Sequence, residues 1–371
     1  MKVLDQLKEK YGTAIVPFHI PIMESNQFKG YVSVIDMKAK EFTGKEVKEI
    51  PIPDHMLAEI EPIRTMLVEA AAETSEELME KYFEGEELTD DEIRTAIRKG
   101  VLEGGIVPVL CGSAINNVGI KELMDDIINY LPSPADRPAA VGTNPNTGDP
   151  IERKASASEP FSAFVFKTVI DPFVGKLSIF KVMSGELTAG ASVYNPNKQR
   201  NEKTGSLYIL KGKKQIQVDK ITAGDIGAFA KLQHTVTGDT LCDPNSPIVY
   251  EGIEFPEPSI SLAVAPEKQG EEEKVFSGLS RLMEEDPTFK IEQRNDIGQT
   301  LISGIGEMQL DIIASKLKSK FGVNVIFKEP KVAYRETIRK SIKAEGKHKK
   351  QTGGHGQYGH VWIEFEPIDI T

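Results

Sequence analysis

One glycine-rich stretch near the end of the sequence has the spacing of a chemically active loop. Gly354-His355-Gly356-Gln357-Tyr358-Gly359 fits the G-x-G-x-x-G pattern with which dinucleotide-binding proteins approach a pyrophosphate. That chemistry requires a strand before the glycines and a helix after them, so that the helix N-terminus faces the phosphates. Here a lysine-rich segment precedes the glycines, and the strand-like residues 361–365 follow them. The context therefore indicates the glycine-containing tip of a hairpin.

The same tip carries residue types that suit RNA. Lysines neutralise phosphates, glycines let the backbone approach them, histidine and tyrosine rings stack on bases, and glutamine bonds a base or sugar edge. We predict that RNA is bound by Lys347, Lys349, Lys350, Gly353, Gly354, His355, Gly356, Gln357 and Tyr358. An ordinary solvated hairpin fits the composition equally well.

Two other groupings of titratable residues have plainer explanations. His348, His355 and His360 are not joined by a carboxylate or a cysteine at a familiar ligand spacing, so we predict no metal site. The acidic run 271–273 is typical of the start of a helix, where negative charge is favoured by the helix dipole. We predict no catalytic residue.

Ser113 and Ala114 stand between a strand-like segment and a helical one, a position at which open α/β sheets bind ligands. Phosphoryl transfer from a nucleotide also needs a phosphate-binding G-x-x-x-x-G-K-[ST] loop, and the sequence contains none. It also lacks the N-K-x-D motif that recognises guanine. We therefore expect no GTP hydrolysis by this chain and no nucleotide cofactor in it.

The composition is that of a multidomain globular protein. The 371 residues, 39% hydrophobic and 27% charged, suffice for two to four domains. No apolar run approaches the roughly 18 residues of a membrane span, and the charged first residues do not resemble a secretory signal. Cys111 and Cys242 stand far apart, which favours a reducing compartment. We predict a cytoplasmic protein without a membrane partner, whose net charge of −11 leaves room for local basic patches.

Hydrophobic periodicity predicts an α/β region at the start of the chain. It indicates helices at 3–10, within 54–99 and at 119–130, and apolar strands at 13–22 and 106–110. The strand at 13–22 should be buried on both faces. Pro62 should kink or split its helix. Thr89 and Glu92 should form a capping box, and the helix that starts there should end at Gly100.

The rest of the chain predicts three further units. Residues 136–158 have the composition of a linker and mark a domain boundary. Short alternating segments between 160 and 250 predict a small antiparallel barrel. From 258 to 338 the order strand, helix, two strands, helix, strand predicts a split βαβ sandwich. The predicted fold class is therefore multidomain α/β plus all-β plus α+β, with one more α+β domain beginning at 336.

Longer runs of residues are more specific than any single motif. They are GKLSIFKVMSG at 175–185, AGDIGA at 223–228, TGDTLCD at 237–243, EEDPTF at 284–289, GIGEMQLD at 304–311 and GKHKKQTGGHGQYG at 346–359. These runs resemble the second, third and fourth domains of bacterial elongation factor G, a translational GTPase. The resemblance extends over the whole chain.

The resemblance implies a counterpart for each segment. Residues 1–135 would be the end of a GTPase domain with an inserted helical subdomain, 159–255 the barrel of domain II, 256–335 the ferredoxin-like domain III, and 336–371 the beginning of domain IV. Ser113 and Ala114 are similar to the family's last guanine-contacting element and would form a vestigial guanine contact. GTP and Mg²⁺ would belong to the full-length parent.

The resemblance also implies a function. The parent couples GTP hydrolysis to the movement of tRNA and mRNA, and its fourth domain reaches the decoding centre. The expected partner is therefore the ribosome, with its ribosomal RNA and the tRNA–mRNA pair, and the chain is expected to be a monomer. Thr352, His355 and Lys181 depart from the principal factor's usual residues, which favours a paralogous form. Two alternatives stay open: a tetracycline-type ribosome-protection protein, and a non-catalytic ribosome-binding module.

Overall fold

The computed structural model describes residues 2–25, 27–43, 46–171, 174–212, 214–351 and 353–368. Thr352, one of the three residues that depart from the principal factor's usual ones, lies outside the described residues. No helix of the described part is long and apolar enough to cross a membrane.

The described residues between 2 and 135 fold around one hydrophobic core. Their elements are α1 (Lys2–Tyr11), β1 (Ile15–Pro17), β2 (His19–Glu24), β3 (Gln27–Ser33), β4 (Lys38–Thr43), β5 (Glu46–Ile50), α2 (Asp54–Ala72), α3 (Glu76–Phe83), α4 (Asp90–Leu102), β6 (Val107–Val109) and α5 (Ile120–Tyr130). Strands β1 and β6 pair in parallel, and β2 to β5 form an antiparallel sheet in chain order. Residues of both sheets, α2 and α4 share the core.

The predicted single strand at 13–22 is two strands. Phe18 separates them: its amide donates to Val109 O at 2.9 Å, and its carbonyl accepts from Val34 N at 2.8 Å. The chain therefore leaves the parallel pair and joins the antiparallel sheet at this residue. Hydrophobic content could not show the break, because residues on both sides of it are buried.

Helix α2 confirms the predicted apolar face and is not split at Pro62. Its buried residues include the five that were expected, namely Met56, Ile60, Ile63, Leu67 and Ala71. The helix nevertheless runs unbroken through Pro62. Pro62 and Ala58 are both exposed, so water can bond the carbonyl that loses its helical partner.

Helix α4 begins as predicted and ends later than predicted. The capping box of Thr89 and Glu92 is present. Gly100 is a buried residue inside the helix, and a Cβ there would lie 2.5 Å from Ile106 Cδ1. The position needs glycine for close packing and not for chain reversal. The reversal falls at Gly104, whose φ is +79°.

His19 and Asp126 form a buried pair at the edge of this core. The Nε2 atom of His19 lies 3.4 Å from Asp126 Oδ2, and the two side chains are only 7% and 18% exposed. Burial, with help from Lys40, lowers the pKa of His19 to about 4. Burial, with the nearby charge of Asp125, raises the pKa of Asp126 to about 6. The pKa values of the two groups are therefore shifted in opposite directions, and both shifts favour the neutral form.

Removal of either partner should uncover a pH dependence of opposite sign. In Asp126→Asn, the lowered pKa of His19 remains, so stability is full above its unfolded pKa of 6.5 and falls as the pH drops towards 4. In His19→Gln, the raised pKa of Asp126 remains, so stability is highest below 3.8 and falls as the pH rises through about 6. Each slope should approach about 1 kcal/mol per pH unit.

Urea unfolding of the two variants at about pH 4.5, 5.5 and 6.5 measures these slopes when it is monitored through the amide exchange of α2. The wild-type protein is the control, and its dependence should be flatter because the two groups offset each other. Slopes of the same sign in both variants would contradict the opposed pKa shifts.

The second unit is an antiparallel sheet that curves around its own core. Its strands are β9 (Ser162–Asp171), β10 (Gly175–Ser184), β11 (Glu186–Thr188), β12 (Ser192–Asn195), β13 (Arg200–Lys203), β14 (Leu207–Lys211), β15 (Lys214–Val218), β16 (Lys220–Thr222), β17 (Ile226–Ala230) and β18 (Thr240–Cys242). Eight of them form one sheet, and β11 pairs with β16. Phe180 and Phe229 stack in the centre, with ring centroids 4.4 Å apart. The predicted barrel strands are confirmed.

The segment expected to be a linker contains a hairpin. Strands β7 (Ala140–Thr143) and β8 (Pro150–Arg153) pair with each other, and Thr143 bridges to Val249. Ala140 and Ile151 pack against buried Cys242, Ile248 and Tyr250 of the barrel unit. The prolines and glycines of this segment therefore belong to a short hairpin and its turn, and not to a free connection.

The third unit is the predicted split βαβ sandwich. It contains β19 (Ile260–Pro266), α6 (Glu272–Glu285), β20 (Lys290–Arg294), β21 (Gln299–Gly304), α7 (Glu307–Phe321) and β22 (Val325–Lys328). The strand order is β20-β21-β19-β22, and α6 and α7 cover a core shared with the sheet. A final hairpin, β23 (Ile342–Gln351) and β24 (Gly356–Phe365), ends the described chain.

Candidate nucleic-acid interface

The final hairpin places the predicted RNA-binding residues at and beside its tip. Ten residue pairs join β23 and β24, from Ile342 opposite Phe365 to Gln351 opposite Gly356. A strand follows the glycines, which excludes the helix that a dinucleotide fingerprint needs. Gly353 has a φ of +82°, a conformation that favours glycine in the turn. Every described residue of the hairpin is exposed.

One face of the hairpin combines lysines with aromatic rings. Side chains alternate between the two sides of a strand, and the two residues of an opposed pair project to the same side. Every second pair of this hairpin therefore lies on one face. We call this side the lysine–aromatic face, which consists of Lys343, Glu345, Lys347 and Lys349 on β23 and Tyr358, His360, Trp362 and Glu364 on β24. Lys349 lies opposite Tyr358, and Lys347 lies opposite His360.

The three rings of the lysine–aromatic face form a row along β24. The centroids of Tyr358 and His360 are 6.5 Å apart, and those of His360 and Trp362 are 6.4 Å apart. Tyr358 is 65% exposed and Trp362 is 66% exposed, so both present ring surface to solvent. Exposed rings beside a cationic row are the arrangement on which unpaired bases stack.

The lysines near the tip keep their charge available. Toward the base of the hairpin, Lys343 is paired with Glu364 at 3.5 Å, and Glu345 lies 2.7 Å from the Nε2 atom of His360. Within the part of the chain that the structure describes, Lys347, Lys349 and Lys350 form no ion pair. Strand β23 as a whole has four lysines against one glutamate. A basic tip thus stands on a protein whose net charge is −11.

The opposite face of the hairpin is different in character. Its base is apolar, with Ile342, Ala344, Val361, Ile363 and Phe365, and near the tip it carries His348, Lys350 and Gln357. His348 Nε2 and Gln357 Oε1 are 3.4 Å apart. The structure therefore divides the predicted site: Lys347, Lys349 and Tyr358 lie on one face, and Lys350 and Gln357 lie on the other.

Sequence reasoning missed His360 and Trp362 as parts of the candidate interface. The period-two alternation after Tyr358 was the signal that would have found them, since it puts residues 358, 360 and 362 on one face. Among the described residues, no three His, Cys, Asp or Glu side chains are grouped closely enough to hold a metal ion.

The proposed guanine contact lies in a tight loop after β6. Ser113 N donates to Val118 O at 2.9 Å, and Val118 N donates back to Ser113 O at 3.0 Å. The Ser113 amide is therefore occupied within the loop. Ala114 is exposed, and its carbonyl accepts from Asn117 N at 3.2 Å. The guanine contact of Ser113 and Ala114 stays a prediction.

Comparison with protein families assigns the three units after the first. Residues 160–244 match the model of elongation factor G domain 2, residues 255–329 match that of domain III, and residues 330–371 match that of domain IV. All three models belong to one family, and the matches follow one another along the chain in the numerical order of its domains. Together they span more than half of the chain. The chain belongs to the elongation factor G family. The final hairpin is accordingly part of the family's domain IV.

A solved structure extends the likeness to the N-terminal region. A protein from Thermus thermophilus, known from its crystal structure, matches 98% of this chain with a TM-score of 0.73 and 32% sequence identity. The match covers 52% of that protein. This elongation factor G family member thus spans about half the length of the protein that it matches.

Proposed function

We propose that this chain binds the ribosome as part of a translocation factor, with the final hairpin contacting RNA at the decoding centre. Its membership of a translation elongation factor family and the match of residues 330–371 to domain IV support this proposal. The GTPase activity, with GTP and Mg²⁺, is proposed for a full-length parent and not for this chain, which has no phosphate-binding loop. The proposed location is the cytoplasm.

The lysine–aromatic face is the observation that carries the proposal. Phosphate contacts supply most of the affinity of proteins for RNA, and Lys347 and Lys349 offer two unpaired charges for them. The rings of Tyr358 and Trp362 supply stacking surfaces on the same side. Tyr358 and Trp362 therefore add surface on which bases can stack beside the row of lysines.

Replacing both lysines should weaken ribosome binding. We expect Lys347→Ala with Lys349→Ala to lower the affinity for small ribosomal subunits by about 10- to 100-fold, because two charge-assisted contacts are lost. The slope of log affinity against log salt should become shallower by about 1.5. Co-sedimentation of the chain with small subunits over a series of salt concentrations measures both changes.

A double substitution of Lys316 and Lys318 by alanine is the matched control. Both are exposed lysines on α7, and the control removes the same charge elsewhere on the chain. Its affinity should stay within about twofold of the wild-type value. Equal weakening by both pairs would mean that non-specific charge, and not the hairpin, holds the ribosome.

A further inference from the structure

A cavity of 370 Å³ lies where the connection after α5, the hairpin β7–β8 and strand β10 meet. It is separate from the final hairpin and from the loop that contains Ser113. Its lining includes Pro134, Arg137, Pro138, Arg153, Lys181 and Met183. The size is at the lower end of the range of small-molecule sites.

The charged residues that line this cavity are all cations. Arg137, Arg153 and Lys181 line it, and among the described residues no aspartate or glutamate does. None of the three forms an ion pair with a carboxylate of the described chain. The protein has 56 acidic and 45 basic residues, yet the described residues that line this cavity include three cations and no carboxylate. Such a cluster is stabilised when an anion occupies it.

Arg153 shows that one of these cations is held in place. Its Nη2 donates to Ser246 Oγ at 2.6 Å, which anchors the guanidinium. Its Nε is closed to solvent and has no hydrogen-bond partner in the described structure, so this N–H does not face a ligand in the cavity. A guanidinium whose orientation is fixed offers its other N–H groups in a set geometry, which suits a phosphate oxygen.

The remaining walls are apolar and suit a ring. Pro134, Pro138, Val182 and Met183 contribute to this surface. Gly224 allows Pro134 to sit close, since a Cβ at Gly224 would lie 2.7 Å from Pro134 Cγ. The cations and the apolar walls belong to one cavity that has room for a single ring system and one phosphate.

We propose that this cavity binds a nucleoside monophosphate group, with its phosphate on Arg137, Arg153 and Lys181 and its base against the proline-lined wall. A free nucleotide and the 5′-terminal nucleotide of an RNA share this chemistry. The site is independent of the hairpin contact proposed above, because none of its residues lies in β23 or β24.

Calorimetric titration of the full chain with UMP, AMP and inorganic phosphate tests the proposal. We expect saturable binding of a nucleotide and weaker binding of inorganic phosphate. The affinity for the nucleotide should fall by about tenfold or more in Lys181→Gln and in Arg137→Gln. Lys316→Gln on α7 is the control for charge alone and should bind like the wild-type chain. The variant with alanine at Lys347 and Lys349 should also bind normally.

Three results would overturn the proposal. They are the absence of saturable nucleotide binding up to about 10 mM, equal affinity in the wild-type chain and Lys181→Gln, and inorganic phosphate binding as tightly as the nucleotides. Competition by short RNAs then identifies the source within the supported outcome. Displacement by a 5′-phosphorylated RNA, and not by its 5′-hydroxyl form, assigns an RNA end; failure of both to displace assigns a free nucleotide.

Discussion

Replacement of Phe229 by alanine should destabilise the barrel unit by about 3–5 kcal/mol. Phe229 is fully buried on β17 and stacks on Phe180 of β10, with the ring planes inclined by 17°. The loss combines the transfer of a large apolar side chain, the cavity that it leaves and the ring–ring contact. Gly227 is also packed close to this pair, since a Cβ there would lie 3.0 Å from Phe180 Cζ. The site therefore has little freedom to collapse.

Amide exchange of β10 and β17 measures this loss within a multidomain chain, where a single unfolding energy is not defined. Phe166→Ala is the matched control: Phe166 is in β9 of the same sheet but is 37% exposed. Its cost should stay near 1 kcal/mol or below, about a third of that at Phe229. Unchanged exchange in Phe229→Ala would show that the stacked pair is not part of the core. Protection of α7 should not change in either variant.

Gly185→Ala should also be severe, at about 3 kcal/mol or more. Gly185 lies in the turn between β10 and β11 with a φ of +74°. A Cβ there would lie 2.6 Å from Glu159 O and 2.6 Å from both N and Cα of Phe161. All three are backbone atoms, so no side-chain rotation relieves the clash. The substitution must displace the segment that enters β9.

Gly190→Ala separates the clash from the backbone strain. Gly190 has a similar φ of +79°, but a Cβ there meets nothing within 4 Å. Its cost should be about 1 kcal/mol, the strain of a left-handed conformation alone. Amide exchange of β10 and β17 compares the stability of the two variants within the same unit. If the two lost the same stability, the contact with residues 159–161 would have no energetic role.

The elements that the sequence predicted best are those with strong periodicity. The apolar face of α2, the capping box at Thr89 and the βαββαβ order of residues 260–328 all follow from side-chain spacing. The predictions that failed concern features that only tertiary contacts decide. At Phe18 the backbone changes hydrogen-bond partners without any change in hydrophobicity. At Gly100 the missing side chain serves packing against Ile106, which local rules interpret as a helix end.

The candidate interface was predictable in kind but not in layout. Lysines, glycines and rings near 347–358 indicated RNA, because those residue types supply charge, close approach and stacking. Which of them share a face depends on strand register, and register depends on where the turn falls. The strand was predicted to start after the glycines at 361, whereas β24 begins at Gly356. The ring row with His360 and Trp362 was missed for this reason.

The contrast between the basic hairpin tip and the acidic remainder of the chain gives the molecule an electric dipole. A polyanion attracts the tip, with its unpaired lysines, and repels a body that carries the excess of acidic residues. During an encounter these two forces act as a torque, which turns the molecule tip first once it comes within about 8–10 Å. The overall negative charge then discourages adhesion to RNA along the sides of the protein. The charge distribution thus selects the orientation in which the protein meets a polyanion.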